Sequence, residues 1–197
     1  MSEQSINNIT QQPLKRSAQV SIEIALSSGN YFLTHTVKTK IKVIENIRNR
    51  VSEAIQKKLP IPVFNNLMPI ISSEEILLTA YSNIKSNRGS MTPGSQGQTA
   101  DETSMEKIKT LAMQLKTGTY KFPDVRRTWV PKPIKGIDWS KKENLVKYGR
   151  PLGMPDFNAK IVQEAIRMVL NAIFEPIFED LNLSYGFRPK YGCHNPM

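Results

Sequence analysis

The strongest constraint on this chain is a segment starting near Asp156 in which apolar residues occupy most of a helix's circumference. Ile161, Ala165, Met168, Val169, Ala172 and Ile173 form a wide apolar face, with Val162, Ile166 and Leu170 beside it. Such a helix cannot rest on a surface, so it is expected in the core, ended or bent by Pro176. Three earlier segments have the periodicity to pack with it. Residues 41–59 place Ile41, Ile44, Ile47, Val51 and Ile55 at helical spacing among Lys42, Arg48, Arg50, Lys57 and Lys58, before Pro60 and Pro62. Residues 73–86 put Ile76, Leu77, Ala80, Tyr81 and Ile84 on one face. A third helix is marked by a capping-box pattern of Thr103 with Glu106, by Ile108, Leu111, Ala112 and Leu115, and by Gly118 as its stop.

A chain of 197 residues can bury one core, or one small domain plus a loose extension. Residues 1–40, rich in Ser, Asn, Gln and Thr, read as a weakly ordered N-terminal extension. Residues 41–72 read as the basic amphipathic helix and a Pro-containing linker, and residues 73–197 as the main body. Hydrophobic residues at 39% and charged residues at 22% fit a soluble, globular class. No apolar run approaches the roughly 20 residues that cross a bilayer, so no membrane partner is expected. Cys193 is the single cysteine, which excludes a disulfide framework within the chain. Cys193 and His194 are adjacent, unlike metal ligands, and His35 stands alone, so no metal site is expected.

The net charge of +10 and pI near 9.7 are unevenly distributed. Residues 116–150 hold ten basic and three acidic side chains, the footprint of a polyanionic partner, with nucleic acid foremost. Within that stretch residues 126–130 alternate as a strand, Arg127 and Trp129 on one face and Thr128 and Val130 on the other, until Pro131 and Pro133 stop it. Residues 134–149 form a polar insert with Lys135, Lys141, Lys142 and Lys147, followed by the compact Arg150-Pro151-Leu152-Gly153-Met154-Pro155. Upstream, residues 88–97 contain three glycines and a proline and read as a polar loop.

Two ordered series of motifs resemble the reverse transcriptases encoded by group II introns. One runs from Tyr81-Ser82-Asn83-Ile84-Lys85-Ser86-Asn87 through Thr92-Pro93-Gly94 to Leu115-Lys116-Thr117-Gly118-Thr119-Tyr120. The other joins Arg126-Arg127 and Val130-Pro131-Lys132 to Arg150-Pro151-Leu152-Gly153-Met154-Pro155. It continues through Lys160-Ile161-Val162-Gln163-Glu164-Ala165-Ile166-Arg167 and Phe174-Glu175-Pro176 to Tyr185-Gly186-Phe187-Arg188-Pro189. The resemblance implies an α+β chain, the fingers subdomain of a right-hand polymerase with the beginning of the palm over residues 73–197, mostly helical with a short β-hairpin and truncated before the palm active site. It implies that Lys132 and Arg150 hold a nucleotide triphosphate, that Arg126 supports the templating pair, and that Met154 floors it. Guanidinium groups suit this task because they grip phosphate oxygens bidentately. Thr92, Gly94, Arg127, Lys135 and Arg188 are the implied RNA contacts. Intron RNA and deoxynucleotide triphosphates are the implied partners, with a separately encoded remainder of the polymerase, and Mg²⁺ is the cofactor of the parent enzyme.

The chain departs from the family pattern in three places. Gln96 stands where an acidic residue is usual, the segment between Pro133 and Arg150 is longer than the usual Gly-Lys turn, and the sequence ends at Met197. Asp156, Glu179 and Asp180 do not match the catalytic positions, so no catalytic residue and no independent polymerase activity are expected. A polymerase needs carboxylates that hold two divalent ions. A non-catalytic RNA-binding splicing module and a non-functional remnant remain alternative readings. An Ile- and Asn-rich composition points to a mitochondrion, with a chloroplast or a bacterial cytoplasm as alternatives.

Overall fold

The computed structural model describes the backbone of residues 31–181 and the side chains of residues 41–181. Residues 1–30, Arg188, Cys193 and His194 lie outside this span. Six helices and one two-stranded antiparallel sheet make up the described residues. The helices are α1 (Tyr31–Gln56), α2 (Met68–Ile71), α3 (Glu74–Ile84), α4 (Met105–Lys116), α5 (Lys142–Tyr148) and α6 (Phe157–Leu181). A 3₁₀ turn, Ala100–Glu102, precedes α4, and strands β1 (Arg126–Val130) and β2 (Arg150–Met154) flank α5.

The apolar segment takes the expected place. Helix α6 packs along α1 and α3, and Phe157, Ile161, Val162, Ala165 and Val169 are almost wholly removed from water. They meet Ile44 and Ile47 of α1, Ile76 and Leu77 of α3, and Ile108, Leu111 and Ala112 of α4 in one core. Each fully buried aliphatic or aromatic side chain contributes ~1.5–3 kcal/mol of transfer free energy. Phe157 also meets Tyr81 edge to face, with ring centroids 6.0 Å apart. Helix α6 is thus packed against α1 and α3 along most of its length. Its C-terminal part does leave Leu170, Phe174, Phe178 and Leu181 exposed.

Four boundaries differ from the sequence expectations. Helix α1 begins at Tyr31, ten residues into which the weakly ordered extension was expected to reach. Val37, Ile41 and Ile44 stand at i, i+4 and i+7, and extending an established helix is far easier than nucleating one. It ends at Gln56 rather than Leu59: Lys58 turns to φ +53°, and the Leu59 N–H donates to the Ala54 carbonyl at 2.8 Å. That is a Schellman closure with lysine at the position glycine usually fills. Helix α4 is capped by Ser104, which accepts from the Lys107 N–H at 3.3 Å, because Thr103 already closes the 3₁₀ turn onto Ala100. Helix α6 runs through Pro176 to Leu181; the proline forfeits one backbone bond but is itself buried, and Arg48 of α1 holds the last turn through Glu179 at 3.3 Å.

Candidate nucleic-acid interface

Strands β1 and β2 pair in register Arg126 with Met154, Thr128 with Leu152, and Val130 with Arg150. Side chains alternate across a strand, so these six share one face of the ribbon, while Arg127, Trp129, Pro151 and Gly153 share the other. Three of the four nucleotide-binding candidates, Arg126, Arg150 and Met154, thereby come onto a common face. Arg126 and Arg150 stand at its opposite ends, roughly 13 Å apart along the strand direction. The Arg126 guanidinium lies 3.9 Å from the Met154 sulfur. Lys132, the fourth, is exposed just beyond β1, and Lys135 is exposed in the turn that follows. Arg127 sits on the reverse face beside Trp129. The ribbon is nearly all solvent-accessible, with Arg126, Arg127 and Arg150 exposed.

The insert between the strands is structured. The Asp138 carboxylate accepts from the Ser140 N–H at 3.1 Å and from its hydroxyl at 2.6 Å, and Asn144 Nδ2 donates to the Asp138 carbonyl at 2.9 Å. These bonds hold the Asp138 carboxyl below its usual range, through the Ser140 hydroxyl first and its N–H second. Helix α5 follows and packs back on both strands. Gly149 ends it in a space that admits no side chain, since a Cβ there would collide with the Leu145 carbonyl and come 3.3 Å from the Val130 carbonyl. This helix escaped the sequence reading because its seven residues are too few for a period to show. The helix-forming run of Lys142, Glu143, Leu145 and Lys147 ahead of Gly149 was the available signal.

The polar loop is fastened by a residue that the sequence reading did not place in the site. Asp156 is fully buried and, instead of capping α6 with its carboxylate, turns it toward the loop. The Gln96 N–H lies 3.1 Å from each carboxylate oxygen. The Ser95 hydroxyl is 3.0 Å from Oδ2 and 2.5 Å from the Asp124 carbonyl, and donates to one at a time. Gly94 is buried against this group: a Cβ would come 2.5 Å from the Asp156 nitrogen. Gly94 is thus set by close approach to Asp156, while Thr92 is half-buried and its N–H donates to the Gly89 carbonyl at 3.1 Å. The signal in the sequence was an aspartate between a strand and an apolar helix, where a buried carboxylate must find donors.

Beside the loop, an open groove of about 510 Å³ runs along α4 to Tyr120 and Asn158. In its wall the Tyr120 hydroxyl and Gln98 Oε1 are buried without a hydrogen-bond partner among the described residues. Burial, and then the negative charge of Asp156, push the Tyr120 phenol above its ordinary pKa. No three His, Cys, Asp or Glu side chains come together to hold a metal among the described residues. Asp156 has its carboxylate engaged by the loop, so the described residues do not fit the Mg²⁺ implied by the resemblance.

Known proteins align with this arrangement across most of the chain. LtrA of Lactococcus lactis subsp. cremoris, described as a group II intron-encoded protein, is 37% identical over 161 residues, which is 82% of this chain and 24% of LtrA. This chain belongs to the group II intron-encoded proteins. The putative COX1/OXI3 intron 1 protein of Saccharomyces cerevisiae is 36% identical over 129 residues, 66% of this chain and 14% of that protein. Escherichia coli YkfC is 31% identical over 134 residues, 66% of this chain and 31% of YkfC. The chain spans about a quarter of LtrA's length. No family model matches it.

Proposed function

We propose that this chain is the fingers portion of a group II intron RNA-directed DNA polymerase and maturase, binding intron RNA and the incoming deoxynucleotide triphosphate. The observation that carries this reading is the ribbon register, which gathers Arg126, Arg150 and Met154 on one exposed face with Lys132 at its edge. Two separated guanidinium groups and an ammonium flanking a thioether suit a base pair with phosphates at its side. The latched loop at residues 92–97 would lie along the template, and the groove beside it offers uncharged donors and acceptors to bases. Chemistry in the parent enzyme takes carboxylates holding divalent ions such as Mg²⁺, and no step is assigned to the described residues. A mitochondrial setting accords with the yeast relatives named for COX1/OXI3 and cob introns, whereas LtrA comes from a bacterium.

The test places Arg150→Ala in a full-length enzyme. Loss of hydrogen bonds to a charged group is worth ~1.5–3 kcal/mol, so KM for deoxynucleotide should rise ~10–100-fold with RNA affinity nearly unchanged. A collapse of RNA affinity with unaltered KM would sink the assignment.

A further inference from the structure

We infer that the 134–149 insert is a second RNA contact, in which lysines fixed on and around α5 bind the sugar-phosphate backbone apart from the nucleotide-facing side of the ribbon. This rests on the proposal above that the chain binds RNA and, beyond Lys135, it concerns residues to which no role has been given.

Three observations carry it. Residues 132–150 hold six basic and two acidic side chains. The carboxylate of Asp138 is taken up by Ser140 and, at 4.0 Å, by Lys141. Lys135, Lys142 and Lys147 are exposed, and among the described residues none has a carboxylate within ion-pair distance. Like charges gathered on so short a segment repel one another unless a polyanion is brought to them.

Second, the cations are mounted rather than trailing. Gly149 is wedged between the Leu145 and Val130 carbonyls, the helix packs on both strands, and Asn144 is bonded to the Asp138 carbonyl. A positively charged surface held in place by its own fold gives up less freedom on binding than a flexible lysine tail.

Third, aromatic rings interleave with the lysines. Tyr148 is 38% exposed, with the Lys147 ammonium 5.1 Å from its ring centroid, and half-buried Trp139 lies earlier in the same insert, between Lys135 and Lys141. Cations that follow a phosphate backbone, next to a ring on which a base can stack, are the requirements of single-stranded nucleic-acid binding. An ordinary solvated helix needs neither the charge imbalance nor an exposed tyrosine.

The experiment measures anisotropy of a fluorescein-labelled, unstructured RNA of ~20 nucleotides bound by the full chain, between about 0.05 and 0.3 M salt. Three phosphate contacts at ~0.7 each predict that K135Q/K142Q/K147Q lowers the slope of log affinity against log salt by about 2, with at least ~10-fold weaker binding at low salt. K135R/K142R/K147R should keep the wild-type slope, and circular dichroism melts of both variants should match wild type because all three sites are exposed. An unchanged slope in the glutamine variant, alongside weakened binding by R126A/R127A, would overturn the insert contact and leave the fingers reading standing. No RNA binding by the intact chain would overturn both.

Discussion

The helical core and the β-ribbon obey opposite rules. In the core, Ile44, Ile76, Leu77, Ile161 and Val169 are sealed from water, and even the polar Asp156 is admitted only with donors from Ser95 and Gln96. In the ribbon, Arg126, Arg127, Lys132 and Arg150 stay exposed, and the two strands have no third strand to pair with among the described residues. A two-stranded sheet is marginal on its own in water. Here it is steadied at its open end by the Asp124–Ser95 bond and at its tip by α5. The difference teaches where stability resides: the core holds the fold, and the ribbon carries exposed charges that contribute little to it.

The comparison can be broken most forcefully at Ile161. Ile161→Ala should cost ~2–5 kcal/mol in a urea melt, through lost burial and an incompletely collapsed cavity. Arg126→Ala, by contrast, should stay within ~0.5 kcal/mol of wild type while reducing RNA affinity. Equal destabilisation by the two would mean that the ribbon is part of the core after all.

The junction of the two regions is sharpened by Gly94→Ala. The added methyl meets the Asp156 backbone, which cannot swing aside as a side-chain end could, so a loss of ~1–3 kcal/mol is expected. Amide exchange at Gln96 should accelerate in step, since its N–H would lose the Asp156 acceptor. Wild-type stability in this variant would show that the loop is not held where the structure has it.

The smallest effect concerns pH at the ribbon tip. Asp138 is ionised more readily in the folded chain than in the unfolded one, so its contribution is present above the unfolded carboxylate range. That contribution disappears as pH falls through the folded value. Because the group is exposed, the consequence for global stability is slight, and a side-chain NMR titration is the suitable measurement. In Ser140→Ala the Asp138 carboxyl should titrate at higher pH than in wild type; an unchanged titration would exclude the Ser140 hydroxyl as the main cause.

Much of the core was legible because the hydrophobic effect leaves a period in the sequence. The apolar faces of α1, α3, α4 and α6 could be read residue by residue, as could the stop at Gly118, whose φ of +69° suits glycine. Strand β1 was legible from its alternation between prolines. Helix α5 and the cap at Ser104 were not, and at Pro176 the sequence left open whether α6 ends or only bends. Each depends on a neighbour: the two strands against which α5 packs, the 3₁₀ turn that occupies Thr103, and the packing around Pro176.

Composition and residue order alone thus established a helical core, a basic stripe and the motif series shared with the group II intron-encoded proteins. These are local or additive properties, which need no knowledge of what lies next to what. Only the tertiary structure decided that Arg126, Arg150 and Met154 share a face, because strand register is set by pairing between segments twenty or more residues apart. It alone decided that Asp156 is an anchor for the loop. A buried carboxylate takes its role from whichever donors folding brings to it, and those donors lie sixty residues upstream.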